Sequence, residues 1–341
     1  MFHTKIIVIG SSAGGVTALQ ELVEGLPADF QTPIFIVQHV DARTHSHLPE
    51  ILSRRGNRKV EHPTDGQRIE PSAIYVAPPD HHMIIEGEYI LIKKGPKENR
   101  FRPCIDTLFR SAAYSYKENV IGVILTGMLD DGSSGMCSVK RMGGITIVQD
   151  PGEALYASMP SSVLQYTDVD YVLPLSKISA LLTEIVAEPI KQHAALDEKQ
   201  EKLLKTEIEI AGEENGFDKG ILEMGDPSNL TCPDCGGAMA RFTEGEHIRF
   251  RCHTGHAFST GALLGEVKNS VEKSLWQAVR SVEESVMILE QAATNMSANG
   301  RDTAAADAQH QAMLAMKDAN TLRGYIYDYI NRSITPLTKQ G

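Results

Sequence analysis

Ile6-Ile7-Val8-Ile9-Gly10-Ser11-Ser12-Ala13-Gly14-Gly15 decides how the rest of the chain is read. Four β-branched apolar residues in a row make a buried strand. The glycines that follow make a sharp turn, and Val16 to Leu26 places Leu19, Leu22 and Val23 at helical spacing. Within the turn, Gly10-Ser11-Ser12-Ala13-Gly14 has the Gly-x-Ser-x-Gly form of a nucleophile elbow, which holds a serine hydroxyl out of the fold. The competing reading is the phosphate-binding turn of a dinucleotide fold. It requires a second glycine where the backbone meets the pyrophosphate, and this chain has Ser12 there. Its acidic partner at the end of the second strand is also missing: His39 follows Val37-Gln38, and Asp41 comes two residues later.

Further strand-like runs continue the pattern. Ile34 to Val37, Ala73 to Val76, Val120 to Leu125 and Ile145 to Val148 are short and apolar on both faces. Leu48 to Ser53 and Ile105 to Tyr116 read as helices. Met83 to Ile85 and Tyr89 to Ile92 flank Glu86-Gly87-Glu88, a hairpin signal. Such strands separated by helices predict a three-layer α/β fold: a mainly parallel, doubly wound sheet covered on both faces. It is expected over residues 1–186. Residues 187–230 read as a charged, partly helical linker, 231–260 as a small ribbon rich in cysteine, and 261–335 as an α-helical hairpin. In that last segment Leu264, Val267, Val271, Leu275, Val279, Val282, Val286 and Leu289 recur at three- and four-residue steps. Asn295 to Asp302 breaks the pattern before Met313, Met316, Leu322, Ile326 and Ile330 resume it. The apolar stripe is expected to be buried against the sister helix.

A formal net charge of −11 argues against a general nucleic-acid binder and against anionic membrane surfaces. No apolar run approaches the roughly 20 residues that span a bilayer. Five cysteines fit a reducing compartment better than a disulfide framework, and the start of the chain leaves no room for a signal peptide. A cytoplasmic protein is expected.

A serine hydroxyl needs a base within hydrogen-bond reach, and the base a carboxylate that orients it. His39 follows the second strand. Asp130 and Asp131 follow the strand Val120 to Leu125, in Thr126-Gly127-Met128-Leu129-Asp130-Asp131-Gly132. In a parallel sheet these strand ends share one edge. The order Ser, His, Asp differs from the Ser, Asp, His of α/β-hydrolases.

The motifs Ile9 to Gly15, Val37-Gln38-His39, Tyr75 to Asp80, Arg102-Pro103-x-Ile105-Asp106-x-Leu108-Phe109-Arg110 and Leu125 to Met136 resemble the catalytic domain of CheB-type protein-glutamate methylesterases, over about residues 4–186. The resemblance implies Ser12 as nucleophile, His39 as base and Asp131, rather than Asp130, as its orienter. It implies hydrolysis of glutamate methyl esters on chemoreceptor helices, with glutamine deamidation in some members, and no catalytic cofactor. Backbone N–H groups in the Ser12-Ala13 turn or near Met128 are the oxyanion candidates. Arg102, Asp106 and Arg110 are candidates for the substrate side. Because the first strand begins at Lys5, the N-terminal receiver domain of well-known members is not expected, nor is its control by phosphorylation in cis. The alternative is a catalytically idle chemosensory scaffold whose C-terminal helices dock a receptor or kinase. His45, His47, His81 and His82 read as surface loop residues, and Cys104 and Cys137 as buried thiols.

Cys232-Pro233-Asp234-Cys235 and Cys252-His253-Thr254-Gly255-His256 give the spacing C-x2-C-x16-C-x3-H, that of a zinc ribbon. Cys232, Cys235, Cys252 and His256 are the expected ligands of a structural Zn2+. His256 is preferred to His253, because a residue adjacent to Cys252 rarely bends onto the same ion. Ile248 to Arg251, alternating apolar and basic, reads as the strand entering the second knuckle.

Overall fold

A computed structural model describes residues 5–55, 58–189, 198–213, 215–244 and 247–333. Part of the expected linker (190–197) and the last residues of the expected hairpin (334–335) lie outside them. The chain forms two compact units, divided between Leu263 and Leu264.

The first unit opens with strand β1 (Ile6–Ser11), helix α1 (Gly15–Glu24), β2 (Ile34–Gln38), α2 (Leu48–Ser53) and the short β3 (Val60–Glu61), β4 (Gln67–Arg68) and β5 (Ile74–Val76). The hairpin β6 (His82–Glu86) and β7 (Tyr89–Lys93) follows, then α3 (Ile105–Tyr116), β8 (Val120–Ile124), α4 (Ser133–Arg141), β9 (Ile145–Gln149), α5 (Ser158–Tyr166), β10 (Tyr171–Leu173) and α6 (Leu175–Ala187). Seven strands form one parallel sheet in the order β10-β9-β8-β1-β2-β5-β3. β1, β2 and β8 are buried along their whole length, which is why their sequences are apolar without alternation. One face packs Ile6, Val8, Phe35 and Ile105 into a core. The other packs Ile7, Ile9, Leu19 and Leu22. The chain winds outward from β1 in both directions, so β1, between β2 and β8, is the switch point where α/β sheets bind ligands.

The unit does not stop at residue 186. Helix α7 (Glu198–Ala211) packs on α3, and β11 (Asp226–Thr231), β12 (Ala238–Glu244), β13 (His247–Cys252) and β14 (Ala257–Ser259) form a four-stranded antiparallel sheet. Both belong to the same compact unit as the parallel sheet. What joins these segments to the parallel sheet is electrostatic. Along β13 it is Ile248 that is exposed, while Arg249 and Arg251 are buried. Arg251 reaches Glu98 (2.7 Å) and Glu207 of α7 (3.0 Å), and Arg249 reaches Glu207 (3.0 Å) and Glu244 (3.4 Å). Arg110 of α3 joins the same cluster through Glu98 (3.1 Å) and Glu207 (3.3 Å). Charges this deep persist only when paired, so the cluster fastens linker helix and ribbon to α3.

The second unit is built from the helix α8 (Thr260–Ala298), which begins at the end of the first unit, and α9 (Asp302–Ser333). Val279, Val286, Ala293, Ala305, Ala312, Ala319 and Ile326 are buried, and Trp276 meets Tyr327 edge-on at 6.0 Å. Of the expected stripe, Val279, Val286 and Ile326 are buried, whereas Leu264, Val267, Val271, Met313 and Met316 are exposed, so burial against the sister helix holds only in part; Glu283 and Arg323 pair across the helices. Met287, Ile288, Met313 and Leu314 remain exposed. Among the described residues no helix is long and apolar enough to cross a membrane.

Candidate active site

The turn after β1 brings Ser12 to the carboxyl edge of the sheet. Gly14 sits at φ +77°, a left-handed conformation that glycine adopts without cost. Gly15 opens α1 where a Cβ would stand 2.1 Å from Gln38 Oε1. That glutamine ties the site together: its Nε2 donates to the carbonyls of Ser12 (2.8 Å) and His39 (3.0 Å), and its Oε1 accepts from Ser11 Oγ (2.7 Å). His39, immediately after β2, lies with Nδ1 3.2 Å from Ser12 Oγ and Nε2 2.8 Å from Asp131 Oδ2. Phe101 stacks on the imidazole, centroids 3.7 Å apart.

Asp131, in the loop after β8, is fully buried. Its Oδ2 accepts from His39 and from Ile105 N–H (2.8 Å), at the start of α3. Its Oδ1 accepts from Asn99 Nδ2 (3.0 Å), Cys104 Sγ (3.0 Å), Gly132 N–H (3.0 Å) and Asp106 N–H (3.3 Å). Burial alone would raise its pKa. The hydrogen bonds, led by the one from His39, outweigh burial and hold it below the ordinary value. Burial and the charge of Asp131 push Cys104 far up, so it stays a thiol and donates. Asp106 is pushed up to about 7, first by burial and then by the charge of Asp131. Asp131 is thus held below the ordinary carboxylate value and Asp106 pushed above it, so the environment drives the two neighbouring carboxyls apart.

The structure thus brings Ser12, His39 and Asp131 into one hydrogen-bonded series. Asp130 accepts no bond from His39, and its Oδ2 lies against Gly261. Of the oxyanion candidates, the Ser12 N–H is occupied by the Thr126 carbonyl (3.1 Å), whereas among the described residues the N–H groups of Ala13 and Met128 donate to no protein acceptor. Arg102 is not brought to the series: its guanidinium binds Asp80 (2.6 Å) and the Gly95 carbonyl (2.7 Å). Arg110 lies in the buried ion cluster. His82 is fully buried, with its Nε2–H donating to the Pro96 carbonyl (2.9 Å), so the surface reading does not hold for it. Asn99, Cys104 and Phe101 complete the site without having been singled out for it. The short spacing from Asn99 to Asp106 was the available signal. Met128, Leu155 and Tyr156 are exposed. Leu155 is next to Gly14, and the Tyr156 carbonyl accepts from Gly127 N–H, so these apolar side chains rim the Ser12 turn.

In the ribbon, the ligand atoms of Cys232, Cys235, Cys252 and His256 all lie within 4.8 Å of one another. Cys232 Sγ and Cys252 Sγ are each 3.7 Å from His256 Nδ1, and Cys235 Sγ is 3.7 Å from Cys252 Sγ. Zn–S bonds of about 2.3 Å in a tetrahedron put sulfurs about 3.8 Å apart, so the donor set fits a four-coordinate ion. His253 stands outside this group, beside Gly237.

The family model described as CheB methylesterase matches residues 7–182, and the chain belongs to that family. A protein-glutamate methylesterase/protein-glutamine glutaminase of Thermotoga maritima is 37% identical over 186 residues, 53% of this chain and 54% of that one. A Leptospira interrogans relative, provisionally given the same name, is 41% identical over 189 residues, 55% of this chain and 98% of its own length. The crystal structure of the T. maritima CheB methylesterase catalytic domain superposes with a TM-score of 0.52 at 36% identity, covering 54% of this chain and all of that one.

Proposed function

We propose that this chain is a serine hydrolase that removes methyl groups from glutamate methyl esters of chemoreceptor-type proteins and converts glutamine side chains to glutamate at the same site. The observation that carries this reading is the hydrogen-bonded series Ser12–His39–Asp131 at the switch point of the sheet, together with the names of the relatives. Ser12 Oγ attacks the ester carbonyl while His39 Nδ1 takes its proton. The carbonyl–methoxy bond breaks, and His39 passes that proton to the departing methanol. Water, deprotonated by His39, then releases the acyl group as glutamate. Asp131 keeps the other imidazole proton on Nε2, leaving Nδ1 free to accept. The N–H groups of Ala13 and Met128 are available to the oxyanion, where a single donor is worth about 3–4 kcal/mol of barrier. The apolar rim of Met128, Leu155 and Tyr156 suits a protein surface better than a small polar substrate.

Ser12→Ala is expected to abolish methanol release from a methylated receptor while leaving the fold intact. Undiminished release would overturn the assignment. The exposed Met287, Ile288, Met313 and Leu314 of the hairpin suit docking of other chemosensory proteins, and the site of action is the cytoplasm. Cys232, Cys235, Cys252 and His256 hold a structural Zn2+, whose closed ligand set leaves no position for chemistry and which stabilises a segment with little core of its own. One equivalent of zinc in freshly purified protein, and a lower unfolding temperature after chelation, are expected. Purified protein free of metal, with an unfolding temperature that chelator leaves unmoved, would sink the zinc assignment.

A further inference from the structure

We infer that Asn99 is a positioning residue for the hydrolytic reaction, and that the ribbon strand β14 holds it in place. The inference rests on the triad reading above. Asn99 Nδ2 donates both to Asp131 Oδ1 (3.0 Å) and to Asp106 Oδ2 (2.8 Å), so one amide fixes the two neighbouring carboxyls. Its other side-chain atom is used as well: Oδ1 accepts from Ser259 N–H (2.8 Å), and the Asn99 N–H donates to the Ala257 carbonyl (2.8 Å). Ala257 and Ser259 are the ends of β14, directly after His256. Asn99 itself stands at φ +49°, a left-handed conformation that asparagine tolerates better than most residues. On either side of it, Glu98 is clamped by Arg249 and Arg251 of β13, and Phe101 stacks on His39. The segment 98–101 is therefore gripped by the ribbon on one side and touches two members of the triad on the other. The match to the L. interrogans relative spans 98% of that protein yet only 189 residues here, so this grip comes from a part of the chain beyond the shared domain.

The groups that face Asp131 are His39 from the end of β2, the buried His82 from β6, Cys104 and Asp106 from the start of α3, Asp130 from its own loop, and Asn99. Arg110 and Arg249 act on Asp106 from α3 and β13. Removing the amide donor leaves Asp131 buried with one bond fewer, so it takes up a proton at higher pH. Once protonated, it no longer anchors the Nε2–H of His39.

The test is the rate of Ser12 labelling by a fluorophosphonate as a function of pH, in the full chain. It reports the nucleophile without requiring the physiological substrate. Asn99→Gly keeps the left-handed backbone and removes the amide. Labelling is expected to slow by roughly 10- to 100-fold, as for loss of one hydrogen bond to a charged group, and the acid limb of the profile to move to higher pH. Asn99→Asp retains the acceptor for Ser259 N–H but adds a third carboxyl beside Asp106 and Asp131. Its acid limb is expected to move further. Thermal unfolding of each variant gives the folded fraction. Variants that lose labelling only in proportion to that fraction, with the acid limb unmoved, overturn the inference while leaving the triad standing. A wild-type chain that is not labelled at all overturns the triad reading itself.

Discussion

Replacing Asp131 by asparagine tests the site most sharply, because the two side chains have the same shape and differ in what they can accept. The carboxylate takes two bonds on Oδ2, from His39 and Ile105 N–H, and four on Oδ1. An NH2 in place of Oδ1 would confront four donors, and in place of Oδ2 only two. The amide therefore settles with its NH2 toward His39. The imidazole can meet that NH2 only by presenting Nε2 as an acceptor, which moves its proton to Nδ1. Nδ1 then points a proton at Ser12 Oγ, 3.2 Å away, and the base is lost while the geometry survives. The corresponding change in a serine-protease triad lowers kcat by about 10⁴, close to 5.5 kcal/mol of barrier, and a loss of that order is expected here. Methanol release from a methylated receptor gives kcat, and fluorophosphonate labelling reports the nucleophile independently. A folded Asp131→Asn protein that turns over within about tenfold of wild type at neutral pH would refute the claim that Asp131 sets the tautomer of His39.

Two further changes test the framework. Gly15→Ala would place a methyl group 2.1 Å from Gln38 Oε1 and 2.7 Å from Ser11 Cβ. Gln38 must then release Ser11 or the Ser12 carbonyl, so a loss of about 1–3 kcal/mol in stability with slower labelling of Ser12 is expected. Denaturant unfolding that matches wild type would show that the turn accommodates a side chain. Glu207→Gln would leave Arg110, Arg249 and Arg251 with less counter-charge in a buried cluster, at a cost of about 3–5 kcal/mol. An unfolding free energy within about 1 kcal/mol of wild type would contradict the role given to that cluster. With pH, Asp131 has its pKa depressed in the fold. Its contribution to stability is present above the ordinary carboxylate range and lost as pH falls through the depressed value, so acid unfolding is expected to shift toward milder pH when the Asn99 donor is removed.

The sequence carried the parallel sheet and the members of the hydrogen-bonded series because each depends on a local signal. Buried parallel strands are apolar without alternation, and residues at successive strand ends must meet at one edge. The same reasoning stopped at Asn99 and Phe101, which lie in an irregular segment where Asn99 and Arg100 both have positive φ. No periodicity marks such a segment, and the partner that fixes Asn99 is Ser259, 160 residues away.

The attachment of α7 and the ribbon to α3 is unmarked in the sequence for a different reason. Lys199 to Glu209 has the alternating charge of a solvated surface, and Arg249 and Arg251 alternate with apolar residues as though they faced water. Hydropathy assigns each of these charges to solvent when its segment is considered alone. Together they are complementary, and Glu98 and Glu207 against Arg110, Arg249 and Arg251 make a core from residues that individually exclude one another from it. Pairing between distant segments is a property of the fold and not of any window of sequence. That pairing joins the ribbon to the catalytic half of the unit, and it is why a substitution in β13 or β14, outside the residues 7–182 that the family shares, is expected to reach Ser12 through Glu98 and Asn99.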